Sequence, residues 1–128
     1  MGFIKYLIAQ EIDYKWGLVT TTVGLQEGAH GMSYPYGDHP PKYHFTQEKG
    51  RILDEFQLVY IIKGAGWFES DHCRRTKITA GNAFIIFPGE YHNYLPNIET
   101  GWTEAWVGFK GEYAEHLETP LGKDWLAF

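Results

Sequence analysis

The sequence predicts an all-β domain, an antiparallel sandwich or barrel, and three observations carry that expectation. Apolar runs of strand length return at regular spacing between glycine-rich turns. Aromatic residues make up 17% of the chain, and Tyr, Phe and Trp favour strands over helices. Only Glu112 to Glu118 shows helical spacing, with Tyr113 and Leu117 four apart, Gly111 near its start and Pro120 ending it.

At 128 residues the chain is one domain, able to bury roughly two thirds of its unfolded surface in a single core. A hydrophobic fraction of 44% argues against disorder. The formal charge of -5 argues against a grip on a phosphate backbone, which needs clustered Lys and Arg. The compact basic run Arg74-Arg75-Thr76-Lys77 falls between expected strands and reads as a solvated hairpin tip. Cys73 is alone, so neither an intramolecular disulfide nor a thiolate metal cluster is available, which fits a reducing compartment. The apolar start from Phe3 to Ile8 is too short for a signal peptide, and no stretch approaches the ~20 apolar residues of a membrane span. A soluble, cytoplasmic protein is expected.

Taken in order, residues 3 to 9 form a short apolar segment, a strand or an arm lying on the domain. Trp16 to Gln26 alternates loosely, with Val19, Val23 and Leu25 on the face expected to be buried and Thr20, Thr22 and Gly24 on the other. From Glu27 to about Lys42 runs a long connection rich in Gly and Pro, of a length that marks a functional or mobile loop. Glu55 to Ile62 is a strand, Lys63-Gly64-Ala65-Gly66 reads as a hairpin turn, and Trp67 to Ser70 as the returning strand. Asp71 to Lys77 is a polar turn. Gly81-Asn82 turns into the apolar run Phe84 to Phe87, and Pro88-Gly89 makes a corner. Beyond it His92 and Tyr94, two apart, share one face of a strand. After a turn over residues 97 to 101, Trp102 to Phe109 forms the last strand, with Trp102, Glu104 and Trp106 on one face. There is no internal repeat and no low-complexity segment.

Three readings compete for His92, Tyr94, Glu104 and Trp106. They are core and rim residues of a β domain, or part of a metal site, or the wall of a pocket for a small polar ligand. Tyr and Trp commonly bury their rings and satisfy one polar tip, but Glu is almost never fully buried unless paired, so the combination favours a site. A metal is disfavoured by spacing: no two of the six histidines are separated as H-x-H or by a helical turn. His39 and His44 could reach His92 only through their loop. A sugar-like ligand needs a flat aromatic face, available from Trp106, and polar groups for its hydroxyls, available from Glu104, Tyr94, His92 and Arg51. Ser33 and Ser70 lack a nucleophile-elbow context, Cys73 lacks an activating base, and no glycine loop opens a helix to cradle phosphate.

The spacing Gly81-x6-Pro88-Gly89-x2-His92 resembles the second motif of the cupin superfamily, a jelly-roll β-barrel or double-stranded β-helix. The span from Arg51 through Glu55-Phe56-Gln57-Leu58-Val59-Tyr60-Ile61 and Gly64-x-Gly66 to Thr100-Gly101-Trp102-x3-Trp106-x-Gly108-Phe109 resembles the N-terminal ligand-binding domain of AraC-family transcription regulators. It covers about residues 14 to 118. Metal-binding cupins carry two His and an acidic residue before the glycine turn, where this chain has Ile52, Asp54 and Gln57, so the resemblance implies a barrel without the metal and without a cofactor.

In arabinose-responsive members the sugar lies inside the barrel. The resemblance places Trp106 at the stacking residue, Tyr94 at a polar contact and Glu104 where those members carry His, with Arg51 a loose match to their Arg. A carboxylate accepts hydrogen bonds but cannot donate them, so the ligand is expected to differ from arabinose. The implied organisation is an arm or edge strand over 1–16, a cupin-like barrel over 17–110 and the start of a helical segment over 111–128. The DNA contact belongs to a separate C-terminal helix-turn-helix domain, and the longer protein is expected to form a homodimer. The expected function is non-catalytic sensing of a sugar-like ligand. Two rivals stand: a metal-dependent cupin enzyme of isomerase or dioxygenase type, using His92 with His39 or His44, and a protein-interaction module with an exposed Trp106.

Overall fold

The computed structural model describes residues 2–28 and 53–118. Among the described residues there are seven strands: β1 (Gly2–Tyr6), β2 (Val19–Glu27), β3 (Phe56–Ser70), β4 (Cys73–Thr79), β5 (Ala83–Ile86), β6 (His92–Pro96) and β7 (Trp102–Lys110). Two one-turn helices accompany them, α1 (Glu11–Tyr14) and α2 (Glu112–Glu115), the second continuing as a 3-10 turn over His116–Glu118. The expected C-terminal helix is therefore present in two short pieces. α1 was not expected: it buries no side chain, so it leaves no apolar period in the sequence, and Gln10 N donating to Asp13 Oδ2 at 2.8 Å fixes its start.

Among the described residues every strand pairing is antiparallel. One sheet runs β1-β2-β7-β3-β5 and the other β4-β3-β6, so β3 belongs to both. Residues 56–64 pair with β7 and 57–60 with β5, while 65–70 pair with β4 and 66–70 with β6. This corrects the expected hairpin at Lys63-Gly64-Ala65-Gly66: the chain bends there without reversing, and β3 is a single strand of 15 residues. A register shift between Ile61 and Lys63 and a φ of +93° at Gly64 make the bend. A Cβ on Gly64 would lie 2.2 Å from the Gly101 carbonyl oxygen, and one on Gly66 2.3 Å from that of Leu95. These glycines serve close backbone approach, and a glycine-rich break in an apolar run looks the same in sequence whether the chain turns back or passes through.

Two further expectations change. Asp71-His72 is the actual turn, and Arg74 to Lys77 lie within β4, where Arg75 pairs with Glu69 at 2.8 Å and covers the Trp67 ring at 3.8 Å. On β2 the inward face carries Thr22, Gly24 and Gln26, while Val23 and Leu25 are only half-buried on the outside. A register shift between Thr20 and Thr22 puts both Val19 and Thr22 inside, which breaks the simple alternation.

The barrel interior packs Val59, Ile61, Phe68, Ile78, Phe84, Ile86, Tyr94, Trp102 and Trp106 into one cluster. A second cluster outside the β5-β3-β7 sheet joins Phe56, Ile85 and Phe87 to Ala114 of α2. β5 is thus buried on both faces, which explains its unbroken apolar run. α2 is also tied to the N-terminal segment, since Tyr113 N donates to the Gly17 carbonyl at 2.8 Å. Among the described residues no helix is long and apolar enough to cross a membrane. Of the long connection expected after β2, all but Glu27 and Gly28 falls outside the described residues.

Candidate functional site

The inward face of β7 is Trp102, Glu104 and Trp106, with 1%, 2% and 9% of their surfaces exposed. Strict period-two alternation places them there, because Thr103, Ala105 and Val107 face outward. Across the sheet Glu104 lies between Gln26 of β2 and Ile61 of β3, and Trp106 between Gly24 and Val59. Gly24 is the seat of the indole: a Cβ there would fall 2.1 Å from a Trp106 ring carbon. From β6, His92 and Tyr94 enter the same interior, both buried, with ring centroids 6.0 Å apart and planes 17° from parallel.

Trp102 connects the two strands. Its ring lies 5.9 Å from that of Tyr94, and its Nε1 donates to Glu104 Oε2 at 2.6 Å. Phe84 closes the row behind Tyr94 at 5.2 Å. The resulting surface combines flat aromatic faces with a carboxylate whose orientation is fixed by an indole N–H. Side chains of this kind suit stacking against an apolar ring face and accepting hydrogen bonds.

Further polar groups are held nearby. Glu55 Oε2 accepts from Gln57 Nε2 at 3.2 Å and from Thr22 Oγ1 at 3.4 Å, in a space kept open by Gly108, whose Cβ would lie 2.1 Å from that oxygen. At the corner before β6, buried Glu90 meets His72 Nδ1 at 2.6 Å. On the outer surface the Tyr91 hydroxyl donates to Glu69 Oε2 at 2.7 Å. That bond, assisted by Arg75, holds the Glu69 carboxyl below the usual carboxylate range, and it pushes the Tyr91 hydroxyl above the ordinary tyrosine range.

Of the five residues singled out from sequence, His92, Tyr94, Glu104 and Trp106 share the barrel interior, and Arg51 lies outside the described residues. Trp106 is buried, unlike the exposed ring that a protein-docking face would require. Sequence reasoning did not single out Trp102 or Gln26. Trp102 had the right period but nothing to separate it from an ordinary core residue, and Gln26 sits on the face of β2 that the apolar pattern assigned to the outside. Among the described residues no three His, Cys, Asp or Glu side chains gather as a metal site; His39 and His44 lie outside them. Asp54 faces solvent beside Lys110 at 3.5 Å, and Gln57 is bonded to Glu55. An open cleft of about 300 Å³ at the ends of β2, β3 and β7 reaches Trp102 and is bordered by Glu27, Lys63 and Thr103. It includes none of the four predicted side chains.

A β-barrel with an enclosed aromatic and carboxylate surface is the architecture of a small-ligand binding domain. Residues 30–121 match the AraC-like ligand binding domain, and the chain belongs to that family of ligand-sensing regulatory domains. Its fold is the cupin barrel. The protein YhaK from Escherichia coli superposes with a TM-score of 0.57 at 11% identity, covering 87% of this chain and 45% of the other. A predicted oxalate decarboxylase from Thermotoga maritima gives 0.52 at 17% identity, covering 86% and 80%. The cupin domain of Cnp3 from Schizosaccharomyces pombe gives 0.50 at 13%, covering 90% and 68%. The chain thus spans less than half the length of YhaK, and at these identities the likeness is one of fold. Comparison with curated proteins finds no match.

Proposed function

We propose that this chain is the sensor domain of a cytoplasmic transcription regulator, binding a small sugar-like ligand inside the barrel and acting on a separate helix-turn-helix domain. The observation that carries the reading is the inward row of β7: Trp106 seated on Gly24 offers a flat face, and Glu104, oriented by Trp102, offers an acceptor beside it. His92 and Tyr94 supply further polar contacts, and Arg51 is a further candidate contact. Residues 17–110 are the sensing barrel, 1–16 an arm or edge strand, and 111–128 the start of the helical segment toward the DNA-binding and dimerising parts.

β7 supports a route for the signal, because it carries the proposed ligand contacts and leads through Gly111 directly into α2. A ligand can shift that junction only if it binds its two arrangements with different affinity. Calorimetry against a monosaccharide panel tests the proposal. Trp106→Ala should weaken a bound sugar by about 1 to 3 kcal/mol, the usual cost of losing a buried aromatic anchor. A sugar bound equally well by wild type, Trp106→Ala and Glu104→Gln would place the site elsewhere. Elemental analysis checks the enzymatic rival: stoichiometric metal lost on His92→Ala would replace sensing with metal chemistry.

A further inference from the structure

Three strands bring opposite charges to one end of the barrel wall. In the sheet register Thr103 of β7 lies between Glu27 of β2 and Lys63 of β3. Neighbouring strands are about 4.8 Å apart, so the backbones carrying the carboxylate and the ammonium stand about 10 Å apart, with a hydroxyl-bearing residue between them. All three residues border the open cleft of about 300 Å³ that reaches Trp102. Glu27 and Lys63 are exposed, and among the described residues neither forms an ion pair. The backbone around them is tied down: Gly28 N donates to the Trp102 carbonyl at 3.0 Å, and the Thr100 hydroxyl to that of Gly101 at 2.9 Å.

We propose that this cleft is a second binding site, distinct from the barrel interior, for a small zwitterion of the α-amino acid class. Glu27 takes the ammonium and Lys63 the carboxylate, each through charge-assisted hydrogen bonds, and the Thr103 hydroxyl between them can donate to one or accept from the other. A cation is drawn to Glu27 and repelled by Lys63, and an anion meets the reverse. Only a molecule carrying both charges is attracted at both ends. One exposed ion pair contributes little by itself, but a zwitterion makes two for a single loss of translational freedom. The volume lies at the lower end of small-ligand pockets and so suits a free amino acid better than a peptide.

The test titrates glycine, L-alanine and L-serine into this chain, labelled with nitrogen-15, and compares each with its amide, which lacks the carboxylate, and its N-acetyl form, which lacks the ammonium. At about pH 6.5 the free amines are protonated. The amides of Gly28 and Thr103 should shift with saturation, and at least one amino acid should bind about fivefold or more tightly than both of its derivatives. Glu27→Gln should erase the preference over the N-acetyl form, and Lys63→Met the preference over the amide. Glu115→Gln, an exposed change at the opposite end of β7, should keep both. Derivatives that bind as tightly as the amino acid overturn the zwitterion, and preferences that survive Glu27→Gln and Lys63→Met overturn the roles of these charges. Shifts confined to Gly24 and Trp106 would put the amino acid inside the barrel and overturn the cleft. The absence of a saturable shift with any of the three up to about 20 mM overturns the site, and leaves the reading of the barrel interior as it stands.

Discussion

Trp102 donates its indole N–H to Glu104 two residues further along β7, at 2.6 Å, with both side chains closed off from solvent. Strand geometry makes the bond available, because residues two apart project from the same face. Pairing a buried carboxylate with a donor offsets part of its desolvation cost, so the indole stabilises the fold and aims the acceptor together.

Removing that donor should therefore be measurable. Trp102→Phe is expected to cost about 1 to 3 kcal/mol in urea unfolding, from the lost bond and the smaller ring. In a double-mutant cycle with Glu104→Gln, the pair should show a coupling energy of about 1 kcal/mol or more. Strict additivity would mean that the bond contributes nothing to stability.

Gly24 has a different dependence, on shape alone. A methyl group at this position would meet the Trp106 ring at 2.1 Å, so the ring or the strand must shift to admit it. Gly24→Ala should destabilise by about 1 to 3 kcal/mol and change the near-ultraviolet circular dichroism of the aromatic residues. Trp106→Leu in the same background should recover part of the loss. A Gly24→Ala variant with unchanged stability and spectrum would contradict the seating of Trp106.

The Tyr91–Glu69 bond predicts a stability window in pH. The Glu69 carboxyl titrates lower in the folded chain than its ordinary value of 4.5, so its contribution is complete above that value and disappears as pH falls through the lowered one. Tyr91 titrates above its ordinary 10.0, so its contribution is complete below that value and disappears as pH rises through the raised one. The stability difference between wild type and Tyr91→Phe should be constant from about pH 5 to about pH 9 and shrink on both sides. Unfolding curves across that range measure it, and a difference unaffected by acid and alkali would rule the bond out as its source.

Gly17 joins the N-terminal segment to α2 and is held at a φ of +80°, with the Tyr113 ring 2.5 Å from where a Cβ would stand. Gly17→Ala should cost about 1 kcal/mol or more, from a backbone conformation that alanine resists and from the contact itself. Tyr113→Ala in that background relieves only the contact, so recovery should be partial. Full recovery would show that the backbone is unstrained.

Much of the barrel was legible because the relevant signals are local. The alternation of Trp102, Glu104 and Trp106, the corner at Pro88-Gly89 and the shared face of His92 and Tyr94 all follow from period two and turn chemistry. What escaped were features set by distant partners. Gln26 faces inward because of a register shift, so the apolar pattern of Val23 and Leu25 pointed the wrong way. The bend at Gly64 looked like a turn because its purpose, close passage of the Gly101 backbone, lies 37 positions away in sequence. Trp102 was visible as a core residue, but its bond to Glu104 depends on a rotamer that sequence does not encode by itself.

The passage of β3 through both sheets has a consequence for how the domain comes apart. Along residues 57–60 its amides and carbonyls are committed to β5 on one side and β7 on the other, and along 66–70 to β4 and β6. Neither sheet can open at β3 without breaking ladders on both flanks, so its central amides should exchange with deuterium only through global unfolding, while β1, paired among the described residues with β2 alone, frays first. Because β7 follows β3 by more than thirty residues, a ribosome must deliver nearly the whole domain before this strand finds its last partner. The barrel is therefore expected to lock late and as a unit.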